Sequence, residues 1–192
     1  MDKVVKTLRN GGVALLPTDT VYGLMASPLH PTAVAKIFAL KGRALTKNLP
    51  VLVANAAHAI TLGVQITPRS EALLASRFMP GAVTLVLPLS TPPHWLKSRS
   101  EVALRIPADT ALCALLRQTG PLFATSANAS GQDTPAEVPD ILAQLTGAPD
   151  IVLDDGPRAG QASTLINCLT DPVTVQRRGA LSDADLKDIL AL

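Results

Sequence analysis

Val13-Ala-Leu-Leu-Pro17-Thr-Asp-Thr-Val-Tyr-Gly-Leu24 sets a short apolar run directly against two hydroxyls, a carboxylate and a phenol. Val13–Leu16 reads as a buried strand, and Pro17, which cannot donate to a ladder, ends it. The polar residues behind it therefore sit at a strand end, where α/β proteins bind ligands, although a polar turn with an Asx motif has the same composition. Upstream, Val4, Val5 and Leu8 recur at helical spacing ahead of Gly11-Gly12, so residues 2–10 read as a helix closed by glycine. Downstream, helices are expected at 31–40, 55–62, 68–77, 109–118 and 135–145, and a last one begins at Ser182 as N-cap with Asp185 in the capping-box position. Strands are expected at 50–53, 82–89, 102–106, 122–125, 151–153, 164–168 and 173–177, with 82–89 pairing 102–106. This alternation, with no internal repeat, reads as one mixed α/β domain over residues 1–192.

Composition excludes several classes of function. The chain has 192 residues, of which 47% are hydrophobic and 17% charged, so disorder is ruled out. Seventeen Lys and Arg against fifteen Asp and Glu leave +2, too little for binding driven by a nucleic-acid backbone, so any cationic site is local. Five aromatics, Tyr22, Phe38, Phe78, Trp95 and Phe123, are too few for a base-stacking platform. Cys113 and Cys168 lack metal or disulfide spacing, and His30, His58 and His94 are scattered. The uncharged stretches 48–68 and 78–96 are interrupted by prolines and polar side chains, and no signal-peptide core follows the N-terminus. A cytoplasmic protein with no membrane span is expected.

Phosphate loops, G-x-G-x-x-G, H-E-x-x-H and G-x-S-x-G are all absent. Other clusters carry chemistry. Lys41-Gly-Arg43, with Lys47 behind, closes a helix with three cations; dipole compensation accounts for them as well as a ligand does. Ala124-Thr-Ser-Ala-Asn-Ala-Ser-Gly131 offers hydroxyls, an amide and backbone N–H groups of the sort that cradle phosphate oxygens. Arg105 ends one strand, and Gln176-Arg-Arg-Gly179 ends another; the guanidinium fork suits carboxylate and phosphate.

In order, PTDTVYGL, KGR, FMPGAVTLVL, VALRIP, ATSANASG, STLIN and RRG resemble the YrdC/TsaC family of threonylcarbamoyl-adenylate synthases, from about residue 3 to residue 190. The resemblance implies an α/β fold, a twisted mixed sheet flanked by helices around a positively lined concave cavity, of the short single-domain type. It also implies that ATP, L-threonine and bicarbonate or CO2 give threonylcarbamoyl-AMP and pyrophosphate, with Mg2+ entering with ATP and no protein metal ligand assigned. A partner enzyme then passes the threonylcarbamoyl group to tRNA, making tRNA and tRNA-modification proteins candidate partners.

Such a reaction crowds anions together, which calls for cations and positioning rather than a nucleophile. By motif position, Lys41 and Arg43 would contact the triphosphate and serve catalysis, with Lys47 or Asn48 assisting. Thr125, Ser126, Asn128 and Arg177 would hold the nucleotide. Thr20 and Ser163 would contact threonine, Arg105 would clamp its carboxylate, and Tyr22 would wall the pocket. Asp19 is an acidic side chain that could reach the site.

The chain departs from the family pattern at Met25, at Ala44, in a longer loop from Ala44 to Pro50, and at Leu52 and Ala162, where some relatives carry a histidine and an acidic residue. Two rival functions are an RNA-binding module and a carbamoyl-adenylate-forming enzyme of the carbamoyltransferase type; a non-catalytic paralogue is a third. The intact Lys41, Arg43, Arg105, Ser126, Asn128 and Arg177 speak against the last.

Overall fold

A computed structural model describes residues 1–192. Its first half runs α1 (Asp2–Arg9), β1 (Ala14–Leu16), β2 (Gly23–Ala26), α2 (Pro31–Lys41), β3 (Val51–Leu52), α3 (Ala56–Thr61), α4 (Pro68–Leu74) and β4 (Val83–Pro88). After a 3-10 turn at His94–Leu96 come β5 (Glu101–Arg105), α5 (Thr110–Thr119), β6 (Leu122–Ser126), α6 (Val138–Gln144), β7 (Ile151–Val152), β8 (Thr164–Asn167), β9 (Thr174–Arg177) and α7 (Asp183–Ala191).

Local chemistry sets the helix ends. Pro31 occupies the first turn of α2, and Gly42 closes that helix in the left-handed region at φ 58°. Asp109 caps α5 by accepting from Leu112 N–H, and Ser182 caps α7 by accepting from Asp185 N–H.

The nine strands form a single mixed sheet in the order β7-β1-β2-β6-β3-β5-β4-β8-β9. The expected antiparallel pair is present, with Leu85 opposite Leu104. β2 was not expected as a strand. Leu24-Met25-Ala26 behind a glycine is too short to show a period, and the segment is extended because it is paired on both sides, by β1 and by β6. The helix expected at 68–77 stops at Leu74, and the one expected at 135–145 begins only at Val138, with Glu137 as its N-cap.

Strand alternation sorts side chains onto two faces. One face, with Val51, Val83, Leu85, Leu87, Val102 and Leu104, belongs to a core of 35 buried residues beneath α2, α3, α4, α6 and α7. On the other face, Ala14, Leu16, Met25, Leu52, Leu122 and Ala124 pack under Val4, Val5 and Leu8 of α1 and Leu112, Leu115 and Leu116 of α5. That second face continues through Thr84, Val86, Ala103, Arg105 and Leu165, which line a cavity instead of lying under a helix. No helix is long and apolar enough to cross a membrane.

Candidate functional site

The cavity has a volume of about 290 Å³, and its wall carries four guanidiniums, Arg43, Arg99, Arg105 and Arg177, against a single carboxylate, Glu101. Arg105 is placed at the C-terminal end of β5, with its side chain nearly enclosed. Its Nε donates to Gly81 O at 3.0 Å, Nη1 to Thr20 Oγ1 at 2.9 Å and Nη2 to Asp19 Oδ1 at 2.8 Å. A guanidinium has five N–H groups, so one remains on each terminal nitrogen, the number a carboxylate takes up bidentately.

Thr20 is itself fixed, because Thr18 Oγ1 lies 2.9 Å from Thr20 Oγ1 and donates to Val21 O at 2.7 Å. Asp19 also accepts from Ala108 N–H. The strand-end motif thus serves as the seat of Arg105, and the Asp19 carboxylate is committed there.

On β4, the neighbour of β5, Thr84 lies 2.7 Å from buried Ser163 through the two hydroxyls, and Arg177 Nη2 donates to Ser163 O at 2.8 Å. The glycine of Arg177-Arg-Gly179 is required there: a Cβ would stand 2.2 Å from Ala162 O. Gly160 meets Thr20 O in the same way, at 2.3 Å. Tyr22 is buried at the wall; its hydroxyl donates to Gly156 O at 2.7 Å and accepts from Asp155 N–H, fastening the loop after β7.

Of the residues singled out from the motifs, Thr20, Arg43, Asn48, Arg105, Thr125, Ser126, Ser163 and Arg177 all line the cavity. Lys41 and Asn128 do not. Lys41 Nζ donates to Ser126 O at 2.5 Å, Asn128 O at 2.6 Å and Asn128 Oδ1 at 3.2 Å, so its ammonium ties the 126–128 turn to α2. The Asn128 amide is consumed by its own turn, accepting from Ser126 Oγ and Thr134 Oγ1 and donating to Ala129 O and Gln132 O. Both residues shape the wall from behind. Lys47 is exposed and away from it.

The sequence reading missed Arg99 and Glu101: two-residue spacing from Ala103 and Arg105 puts Glu101 on the cavity side of β5, and Arg99, just ahead of the strand, lines the same wall. Arg99 also stacks over Phe123 at 5.0 Å from the ring centroid.

Burial pulls all four guanidiniums below the usual arginine range. The charge of Arg177 adds to this at Arg43, and at Arg105 the Asp19 carboxylate opposes it. Burial, with a contribution from Arg43, brings the Lys41 ammonium down to about 8. Like-charge repulsion adds to burial at Lys41, Arg43 and Arg105, so an anion in the cavity would be attracted to them.

No group of three or more His, Cys, Asp or Glu side chains converges to hold a metal. Fold and site together define a mixed α/β protein with an arginine-lined anion cavity. Residues 6–179 match the Sua5/yciO/yrdC family, described as "Telomere recombination", and the chain belongs to that family.

The chain is 33% identical over 188 residues to the Bacillus subtilis threonylcarbamoyl-AMP synthase, covering 95% of this chain and 54% of that protein. It is 36% identical over 172 residues to the Thiobacillus denitrificans threonylcarbamoyl-AMP synthase, covering 86% and 89%. The crystal structure of Pyrococcus abyssi Sua5 complexed with L-threonine superposes with a TM-score of 0.84 at 31% identity, covering 97% of this chain and 56% of that one. The chain therefore spans about half the length of the Bacillus and Pyrococcus relatives and most of the Thiobacillus one. Escherichia coli YciO, at 23% identity and a TM-score of 0.83, shares the fold.

Proposed function

We propose that residues 1–192 act as one YrdC-like unit that makes threonylcarbamoyl-AMP and pyrophosphate from ATP, L-threonine and bicarbonate or CO2, for threonylcarbamoyladenosine modification of tRNA in the cytoplasm. The observation that carries the reading is Arg105: a buried guanidinium anchored by Asp19, Thr20 and Gly81, with an N–H left on each terminal nitrogen at the cavity wall. That is a seat for a single carboxylate, and the hydroxyls of Thr20, Thr84 and Ser163 around it suit a small hydroxy amino acid. The synthase names of the relatives and the threonine bound to Pyrococcus abyssi Sua5 support the same substrate.

The opposite end, with Arg43, Asn48, Thr125 and Ser126, takes the nucleotide phosphates. Arg177, held at Ser163 O, is close enough for its charge to be felt at both Arg43 and Arg105. The threonine amine adds to CO2, forming an N–C bond and releasing a proton. A carbamate oxygen then attacks the α-phosphorus, and the bond to the β-phosphate oxygen breaks to expel pyrophosphate. Arg105 fixes one reactant, Arg43 and Ser126 fix the other, and Arg177 lowers the repulsion between them as negative charge builds on the transferring phosphate. Lys41 serves through the turn that presents Thr125 and Ser126, and Asn128 pins that turn.

The wall at the phosphate end offers hard oxygen donors, which fit the Mg2+ that accompanies ATP; when bound, this ion neutralises part of the triphosphate charge. The product is a mixed anhydride, an activated acyl donor for tRNA and its modification partners.

Pyrophosphate release from ATP, with magnesium and bicarbonate, tests the reading when threonine, serine, carbamoyl-phosphate and no added substrate are compared. Threonine-dependent release is expected. Release with carbamoyl-phosphate alone would assign carbamoyl transfer instead.

A further inference from the structure

Glu101 is the one carboxylate in a wall of four guanidiniums, and it takes part in none of the protein's ion pairs. The other acidic residue of this region, Asp19, is spent on Arg105 and the Ala108 N–H.

Strand register locates Glu101. It opens β5, three residues before Leu104, which lies opposite Val51 of the parallel strand β3. On β6, which runs antiparallel to β3, Phe123 lies opposite Val51, and three residues further on is Ser126. Glu101 and Ser126, each three residues along its strand from the partner of Val51 and on the same side, therefore share one level across the sheet, at the end of the cavity remote from Arg105; Asn48, in the segment leading into β3, lines the cavity with them. Arg43 lies beside Asn48, to whose carbonyl its Nη2 donates at 3.1 Å. Two strand spacings separate Glu101 from Ser126, roughly 10 Å, room for a phosphate and one cation between them.

A carboxylate facing a bare triphosphate repels it, so a site built for phosphate would exclude one unless a cation lay between. Magnesium is commonly held by one or two carboxylates together with substrate phosphates and water, without a full protein cage. From this placement we propose that Glu101 is the protein ligand of the divalent ion that enters with the nucleotide. It makes the cavity select metal-bound over metal-free ATP. The inference rests on the nucleotide reading of the site given above.

Its signature is a change of sign. In titrations of ATP without threonine, the native protein should bind the magnesium complex about tenfold more tightly than ATP in EDTA. Glu101→Gln, which keeps the shape and removes the charge, should bind ATP in EDTA more tightly than the native protein does and the magnesium complex less tightly. With Mn2+ in place of magnesium, the electron paramagnetic resonance spectrum of the ATP complex should differ between native protein and variant. Glu101→Ala with an unchanged melting temperature should repeat the pattern.

Equal weakening of both forms by Glu101→Gln would place the carboxylate on ribose or base and overturn the metal assignment, as would identical binding of both forms by native protein and variant. Absence of ATP binding in every arm would overturn the nucleotide reading itself, and the inference with it.

Discussion

Arg105 Nη2 meets Asp19 Oδ1 at 2.8 Å inside the wall of the cavity, with both side chains nearly shut off from water. The pair joins the end of β5 to the loop after β1, and Thr20 Oγ1 takes the second terminal nitrogen. A buried guanidinium needs its charge balanced, and the single carboxylate contact leaves it able to take one more anion. Removing Asp19 would leave that guanidinium uncompensated, which costs stability. Asp19→Asn should accordingly lower the melting temperature and raise KM for threonine, with KM for ATP changing much less. Equal changes in both KM values would remove Asp19 from the positioning of Arg105.

Arg105→Lys keeps a positive charge but loses the fork. Threonine KM should rise by about two orders of magnitude, equivalent to roughly 3 kcal/mol, because a point charge cannot hold a carboxylate through two parallel bonds. Steady-state kinetics with each substrate varied in turn will show it, and an unchanged threonine KM would contradict the clamp.

Lys41 gives a pH prediction. With its ammonium brought down to about 8, it is charged below that pH; as pH rises through it the group loses its charge and one of its three N–H donors, so its grip on Ser126 O, Asn128 O and Asn128 Oδ1 weakens. Turnover should therefore fall above about pH 8. The folded value lies below the ordinary 10.5, so between about 8 and 10.5 the unfolded chain holds the extra proton, and this group's contribution to unfolding free energy rises with pH. Lost turnover in that window without a matching loss of melting temperature would thus report on the turn. Lys41→Arg, whose charge persists, should flatten the alkaline limb; an unaltered limb would exclude Lys41 as its source.

Gly179→Ala places a methyl group 2.2 Å from Ala162 O, and the conflict is with backbone rather than a flexible side chain. The displaced segment carries Ser163, the carbonyl partner of Arg177. Turnover should drop at least tenfold, about 1.4 kcal/mol in the barrier, although Gly179 touches no substrate. Normal kinetics would show that the segment yields without cost.

The sequence made the site legible through its order of motifs, and most of the strands through their apolar runs. It concealed what depends on pairing. β2 has no period of its own and exists because β1 and β6 flank it. Lys41 and Asn128 fall within motifs read as phosphate contacts, and their bonds to each other and to the 126–128 turn were not legible, because a lysine at a helix end can reach a facing turn as easily as a ligand. Arg99 and Glu101 lie just outside the recognisable motif, and only the alternation of β5, read backwards from Arg105, would have brought them in. The partnership of Asp19 with Arg105 spans 86 positions in the chain, so no local pattern could announce it.

The most direct test is carbon tracing. Purified protein supplied with ATP, magnesium, L-threonine and labelled bicarbonate should form a product that carries the label together with both threonine and AMP, in step with pyrophosphate, and Arg105→Ala should abolish its formation at subsaturating threonine. Pyrophosphate release without incorporation of the label, or a labelled product lacking threonine, would contradict the account.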